Sequence, residues 1–153
     1  MKTPTEDIIR FFHNQHYVIV STIDKNGHPH TACKGIVSID KEKIYLLDLY
    51  HGVTYGNIRN NPVIGITAVD EHTFEGYCIK GKVRLEELNS DKEHITRKWE
   101  DKIIQRITHR VLKNLKGEKG HALHPEAQLP KPKYLLIVDI QEVVDLTPQQ
   151  LKE

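Results

Sequence analysis

Cysteine is scarce. The 153 residues hold two, Cys33 and Cys78, in separate apolar segments and outside any Cys-x-x-Cys pair. That excludes a disulfide scaffold and reads as two reduced, mostly buried thiols, because free cysteine behaves as a small hydrophobe. An excess of either charge is also missing. Lysine and arginine number 22 against 21 acidic residues, with no long run of one sign, so the basic footprint of a nucleic-acid binder is absent. No apolar run approaches the roughly 18 residues that span a bilayer, and the N-terminal residues lack the apolar core of a signal peptide. The expectation is a cytoplasmic protein with neither nucleic acid nor membrane as partner. Nine glycines and seven prolines without a period exclude collagen-like chains, and 38% hydrophobic residues with 28% charged exclude a disordered one. At roughly 100 to 200 residues per domain, residues 1–153 are expected to form a single domain.

Common signatures are absent as well: no Gly-x-Gly-x-x-Gly, no Walker loop, no His-Glu-x-x-His and no Gly-x-Ser-x-Gly. Ten histidines include the close pairs His28 with His30 and His121 with His124, neither at metal-ligand spacing with a cysteine or carboxylate. No metal site is expected.

What is present reads as short strands. Thr3-Pro4-Thr5-Glu6 predicts a helix start with Thr3 as cap, and Ile8, Ile9 and Phe12 supply its apolar face. Tyr17 to Ile23 is β-branched and aromatic and stops at Asp24-Lys25-Asn26-Gly27, a hairpin signal. The returning strand is expected from His28 or Pro29 to about Ile39, and a third from Ile44 to Leu49. Tyr50 to Asn61 reads as a loop with a short helix closed by Asn61-Pro62, followed by strands over Val63–Val69 and Gly76–Leu85. From Asp91 to Leu115, the four-residue repeat Ile95, Trp99, Ile103, Ile107, Val111, Leu115, widened by Ile104 and Leu112, predicts one long amphipathic helix. Gly117 to Lys133 reads as a functional or interface loop. Tyr134 to Ile140, continued by Glu142 to Leu146, is the last strand. Six antiparallel strands with helices at the periphery close most economically as a barrel.

Three features invite chemistry. Asp48 breaks an apolar strand near its end, and His51-Gly52-Val53-Thr54-Tyr55-Gly56-Asn57 then opens a short helix. Such a start offers free N–H groups and a positive dipole end to a phosphate, or Thr54 simply caps the helix. Lys34 sits in a strand of small and uncharged residues, either as a cation facing a ligand or as a lysine snorkelling to solvent.

The order of these pieces carries a resemblance: the first helix, the Tyr17-to-Ile23 strand, the turn Asp24-x-x-Gly27-x-Pro29-His30, then Thr54-x-x-Asn57-Ile58-x-x-Asn61-Pro62 and Gly76-Tyr77-x-Ile79-x-Gly81. Over roughly residues 8 to 86, the chain resembles the pyridoxamine 5'-phosphate oxidase-like, FMN-binding split-barrel family. The resemblance implies a mainly β fold, a six-stranded antiparallel split β-barrel with peripheral helices and one long helix before the last strand. It implies a homodimer with FMN in a cleft between the protomers and a small-molecule redox substrate. It also implies that His30, Thr31, Ala32, Cys33 and Lys34 lie near the isoalloxazine ring, and that Asp48, Leu49, Tyr50, Thr54 and Asn57 lie near the phosphate and ribityl chain, with Asn57 alternatively stabilising its turn.

The chain departs from the family pattern in three places. Val53 stands where many relatives carry a lysine or arginine, which leaves the phosphate charge to Lys34, Arg59, a histidine or backbone N–H groups. The arginine-containing signature of true pyridoxamine phosphate oxidases is absent from Leu146–Glu153. The helix and loop at about 90–133 are an added element, placed on its own barrel, over the dimer seam or as a lid on the flavin, and they make Trp99, His121 and His124 candidates for substrate contact. The implied function is a flavin-dependent oxidoreductase or electron carrier. The alternatives are a split barrel binding the deazaflavin F420 or haem, and a flavin-binding accessory protein without turnover.

Overall fold

The structure, a computed structural model, describes residues 1–116 and 130–152. The chain enters through α1 (Glu6–Asn14), whose cap is Thr5: its hydroxyl accepts the Ile8 N–H at 3.4 Å. The expected cap, Thr3, lies two residues too early, and Pro4 is buried ahead of the helix rather than inside its first turn. Ile8, Phe11 and Phe12 point inward, with Phe12 fully buried and its ring edge-on to that of Phe11.

The strands follow as β1 (Val18–Ile23), β2 (Pro29–Ile39), β3 (Lys43–Asp48), β4 (Val63–Val69), β5 (Gly76–Glu87) and β6 (Tyr134–Asp145), with α2 (Val53–Asn60) after β3 and α3 (Glu93–Leu115) after β5. Every pairing is antiparallel, and the order β1-β2-β3-β6-β5-β4 closes when β4 returns to β1. Closure removes the exposed strand edges that an open six-stranded sheet would leave. The expected fold class, a six-stranded antiparallel barrel of the split-barrel type with peripheral helices, is therefore what the chain forms.

Local chemistry explains the turns that set the register. Asp24 closes the β1–β2 hairpin: its Oδ1 accepts the amides of Asn26 and His28, and Gly27 takes the left-handed φ of 80° that the turn requires. Gly81 sits where β5 slips register against β6, and a Cβ there would stand 2.2 Å from the Asp139 carbonyl oxygen.

Two apolar clusters result. Alternate residues of the strands fill the barrel, among them Val18, Val20, Leu46, Ile66, Ile79 and Leu136. Burying one such side chain contributes about 1.5–3 kcal/mol. A second cluster lies on the outside, where Val37, Leu47, Leu135 and Ile137 are covered by Ile95 and Trp99 of α3. This is why β3 and β6 read as continuous apolar runs: both of their faces are covered. The helix begins at Glu93, behind a 3-10 turn over Ser90–Lys92, so the expected start at Asp91 is two residues early. Ile104 and Leu112, expected to widen the buried stripe, are exposed, because α3 meets the barrel through Ile95 and Trp99 on another side of the helix. His121 and His124, and most of the expected functional loop, lie outside the described residues.

Candidate functional site

Four polar residues are buried among those described: Thr22, Asp48, Thr54 and Asn57. Their hydrogen bonds separate structure from opportunity. Asn57 donates its amide to Thr22 Oγ1 at 3.0 Å, which pins α2 to β1 and gives each side chain a partner.

Asp48 is the most heavily engaged. It ends β3 opposite Tyr134, the first residue of β6. Its Oδ2 accepts from the Lys34 ammonium and from the Tyr134 hydroxyl, both at 2.5 Å, while Oδ1 takes the Leu49 amide at 2.8 Å. The carboxylate is 5% exposed, so it is stable there only because three donors replace water. Burial, reinforced by the adjacent carboxylate, pushes the Tyr134 hydroxyl well above the usual phenol range, so it remains a donor to Asp48 at any ordinary pH. The Tyr134 ring stacks on His51 and meets Tyr55 edge-on, and Arg59 lies over the other aromatic, 5.7 Å from the Tyr55 centroid.

Thr54 differs from the other three. It is 4% exposed, occupies the first turn of α2 and has no side-chain partner among the described residues. The capping role open to it in the sequence is not the one it takes: the helix N-cap is Gly52, and no side chain caps the first turn. The helix therefore presents uncapped N–H groups and an unpaired buried hydroxyl to the same space. That space is a recess of about 180 Å³ lined by His30, Ala32, Lys34, Asp48, Tyr50 and Thr54, together with Gly52 and Val53.

The recess opens beside a larger cleft of about 810 Å³, and Lys34, Asp48 and Tyr50 belong to both. Cys33 and Leu49 line only the larger one, along with the end of α1 and one side of α3. Lys102 of α3 stands in its wall and donates to the Ile36 carbonyl, and burial holds its ammonium below the usual lysine range.

The sequence-predicted residues are thus partly gathered and partly divided. Strand alternation splits the run 30–34. His30, Ala32 and Lys34 pair with Thr22, Val20 and Val18 and share their side of the sheet, whereas Thr31 and Cys33 pair with Ser21 and Ile19 on the other. His30, Ala32 and Lys34 line the recess, Cys33 joins Lys34 in the larger cleft, and Thr31 lines neither. Cys33, expected to be mostly buried, is exposed, because it lies on the outer side of β2; Cys78 is half-buried and both thiols are free. Asn57 is taken up by Thr22 and does not line the recess. Of the candidates for substrate contact, Trp99 does line the larger cleft. Sequence reasoning missed Tyr134 as a partner of Asp48, and it missed the basic side of α3. The available signal for Tyr134 was its place as the first residue of an apolar strand.

A family model described as pyridoxamine 5'-phosphate oxidase matches residues 4–145. No curated protein matches the sequence. Among solved structures, HupZ of Group A Streptococcus is similar at TM-score 0.67 and 19% identity, over 94% of this chain and 94% of that one. General Stress Protein 26 of Bacillus anthracis str. Sterne is similar at TM-score 0.62 and 15% identity, over 94% of each chain. An F420 reductase is similar at TM-score 0.54 and 14% identity, over 84% of this chain and 88% of that one. Identities this low speak to the fold.

Proposed function

The chain belongs to the pyridoxamine 5'-phosphate oxidase family, and on that premise we propose that it is an FMN-binding protein, a flavin-dependent oxidoreductase or electron carrier acting on a small redox substrate. Thr54 carries the reading. A buried hydroxyl without a partner, beside uncapped helix N–H groups, is an arrangement that costs about 1–3 kcal/mol when empty and that a phosphate oxygen relieves. The residues present therefore fit the phosphate end of FMN. Val53, 58% exposed at the first helical position, supplies no charge, so the dianion is met by dipoles and hydroxyl rather than by a guanidinium.

Bound FMN would supply the electron transfer; the protein's own residues bind and orient it. Thr54 and the first amides of α2 hold the phosphate end, with Tyr50 and Leu49 beside the ribityl chain. His30, Ala32 and Lys34 face the same recess along β2. Lys34 meets the ring as one half of a pair with Asp48, so its field is that of a partly cancelled cation, and Tyr134 keeps that pair in place by donating to the carboxylate. Asn57 acts by fixing α2 against β1.

The split of 30–34 supports a homodimer. Cys33, Ile19, Thr67 and Cys78 form one row across the outer side of β2, β1, β4 and β5, and none of the four is charged. An uncharged row of this kind suits burial against a second copy. In that dimer Thr31 and Cys33 reach the partner's flavin, so the cleft lies between protomers. The two free thiols fit a reducing cytoplasm.

The reading is tested by Thr54→Val. FMN affinity is expected to fall about tenfold, the scale of one hydrogen bond to a charged group, while riboflavin, which lacks the phosphate, binds unchanged. Equal losses for both would remove Thr54 from the phosphate site. One observation favours a second reading within the same fold: the missing cation at Val53 matters less to another ligand such as the deazaflavin F420, and uptake of F420 in preference to FMN would select it.

A further inference from the structure

A lysine on a solvated helix face normally extends to water or to a carboxylate. Lys102 of α3 is placed otherwise. It is half-buried in the wall of the larger cleft, donates to the backbone carbonyl of Ile36 and has no carboxylate partner among the described residues. Ile36 stands where β2 slips register against β3. Asp48 is the one carboxylate residue lining the cleft among the described residues, and Lys34 and Tyr134 already occupy it. The other basic groups lining it are His13 and His16 of α1 and Arg106 and His109 of α3. Cys33, Tyr17 and Tyr50 line it as well and bring no charge while protonated. Taking an ammonium out of water without an anion to face it favours the neutral amine, and burial accordingly holds Lys102 below the usual lysine range.

We propose that Lys102 is a nucleophilic amine, and that the cleft wall around it is a site where small apolar aldehydes condense with Nζ to an imine. Lysine serves as a nucleophile where desolvation leaves part of it uncharged. The nitrogen lone pair adds to the carbonyl carbon, and the C=O π pair moves to oxygen. Both amine protons then leave with that oxygen as water while nitrogen closes the C=N bond. Amine and aldehyde become imine and water, so neither oxidant nor reductant is consumed. When the imine takes up a proton, its one N–H can keep the donation to the Ile36 carbonyl, so the acceptor that holds the amine also suits the product. The cleft, at about 810 Å³, has room for the aldehyde, and Trp99, half-buried in the same wall, offers apolar surface to its carbon chain. Lys102 does not line the recess, and the proposal does not rest on the flavin reading.

The full-length protein is treated at neutral pH with propanal and cyanoborohydride, which reduces any imine to a stable propylamine, and each lysine is scored by peptide mass spectrometry. Lys98, exposed one turn earlier on the same helix, is the internal standard. Lys102 is expected to react about tenfold faster, the gain in neutral amine that a one-unit depression brings. Greater exposure cannot produce that lead, since Lys98 is the more exposed. The lead should shrink as the pH approaches about 10.4, where an ordinary lysine is half neutral as well, and vanish in urea-unfolded protein. Reaction of Lys102 no faster than Lys98 at neutral pH overturns the proposal on the unmodified protein, as does a lead that stays constant with rising pH. Uptake of FMN without a lead at Lys102 sinks this proposal alone, whereas a lead at Lys102 in a protein that refuses FMN sinks the flavin reading alone.

Discussion

The barrel interior and the rim at β2 and α2 treat buried polarity in opposite ways. Inside, the buried side chains among the described residues are apolar except for Thr22 and Asn57, which share a hydrogen bond. At the rim, Asp48 is held by three donors while Thr54, equally buried, has none among the described residues. A closed interior supplies stability, and a barrel that stable can carry an unsatisfied hydroxyl at its edge. The contrast teaches where to look for a ligand: at the polar group that folding leaves open, rather than at the one with most contacts.

The largest effects should come from the interior and leave the rim's binding intact. Gly81→Ala drives a Cβ into the Asp139 carbonyl and should lower the melting temperature sharply; Phe12→Ala should cost about 3–5 kcal/mol in denaturant unfolding. Next comes the engaged carboxylate. Lys34→Met leaves Asp48 buried with one charge uncompensated, at about 3 kcal/mol, and Lys34→Met with Asp48→Asn together should recover much of that loss in a double-mutant cycle. The same Lys34→Met change should lower the flavin potential or weaken FMN; an unchanged potential and affinity would remove Lys34 from the flavin's surroundings.

Thr54→Val sharpens the comparison further. Stability should hold or rise by up to about 1 kcal/mol while FMN binding falls, the reverse of every interior substitution. The smallest effect concerns neither region. Phe74, exposed and held at a φ of 58° in the β4–β5 turn, is strained, and Phe74→Gly should raise stability by about 1 kcal/mol in the same unfolding assay.

Much of this molecule was legible in the sequence because strand alternation and turn chemistry are local. β4 runs over Val63–Val69 as expected, and the Asn-Gly turn places Gly27 at positive φ. The four-residue repeat marked α3, but which side of it would be covered depends on where the barrel stands, so Ile104 and Leu112 could not be sorted from Trp99. Cap positions slipped by two residues at both Thr5 and Glu93, since neighbouring threonines and acids satisfy the same rule. In the site, Asp48 and Thr54 stood out as polar residues in apolar or small surroundings. The partner of Asp48 did not: Tyr134 is 86 positions away, and no local pattern ties them. The division of His30 to Lys34 over two faces follows from the period of two along a strand, once that stretch is taken as β. Lys102 was hidden because a lysine on an amphipathic helix ordinarily reads as solvated.

The central claim is that the rim holds FMN between two copies of the chain. The most direct test is the absorption spectrum of freshly purified protein, with identification of any chromophore released on denaturation and the mass of the native species. A yellow dimer releasing FMN is the predicted result. A colourless protein that also refuses added FMN would contradict it.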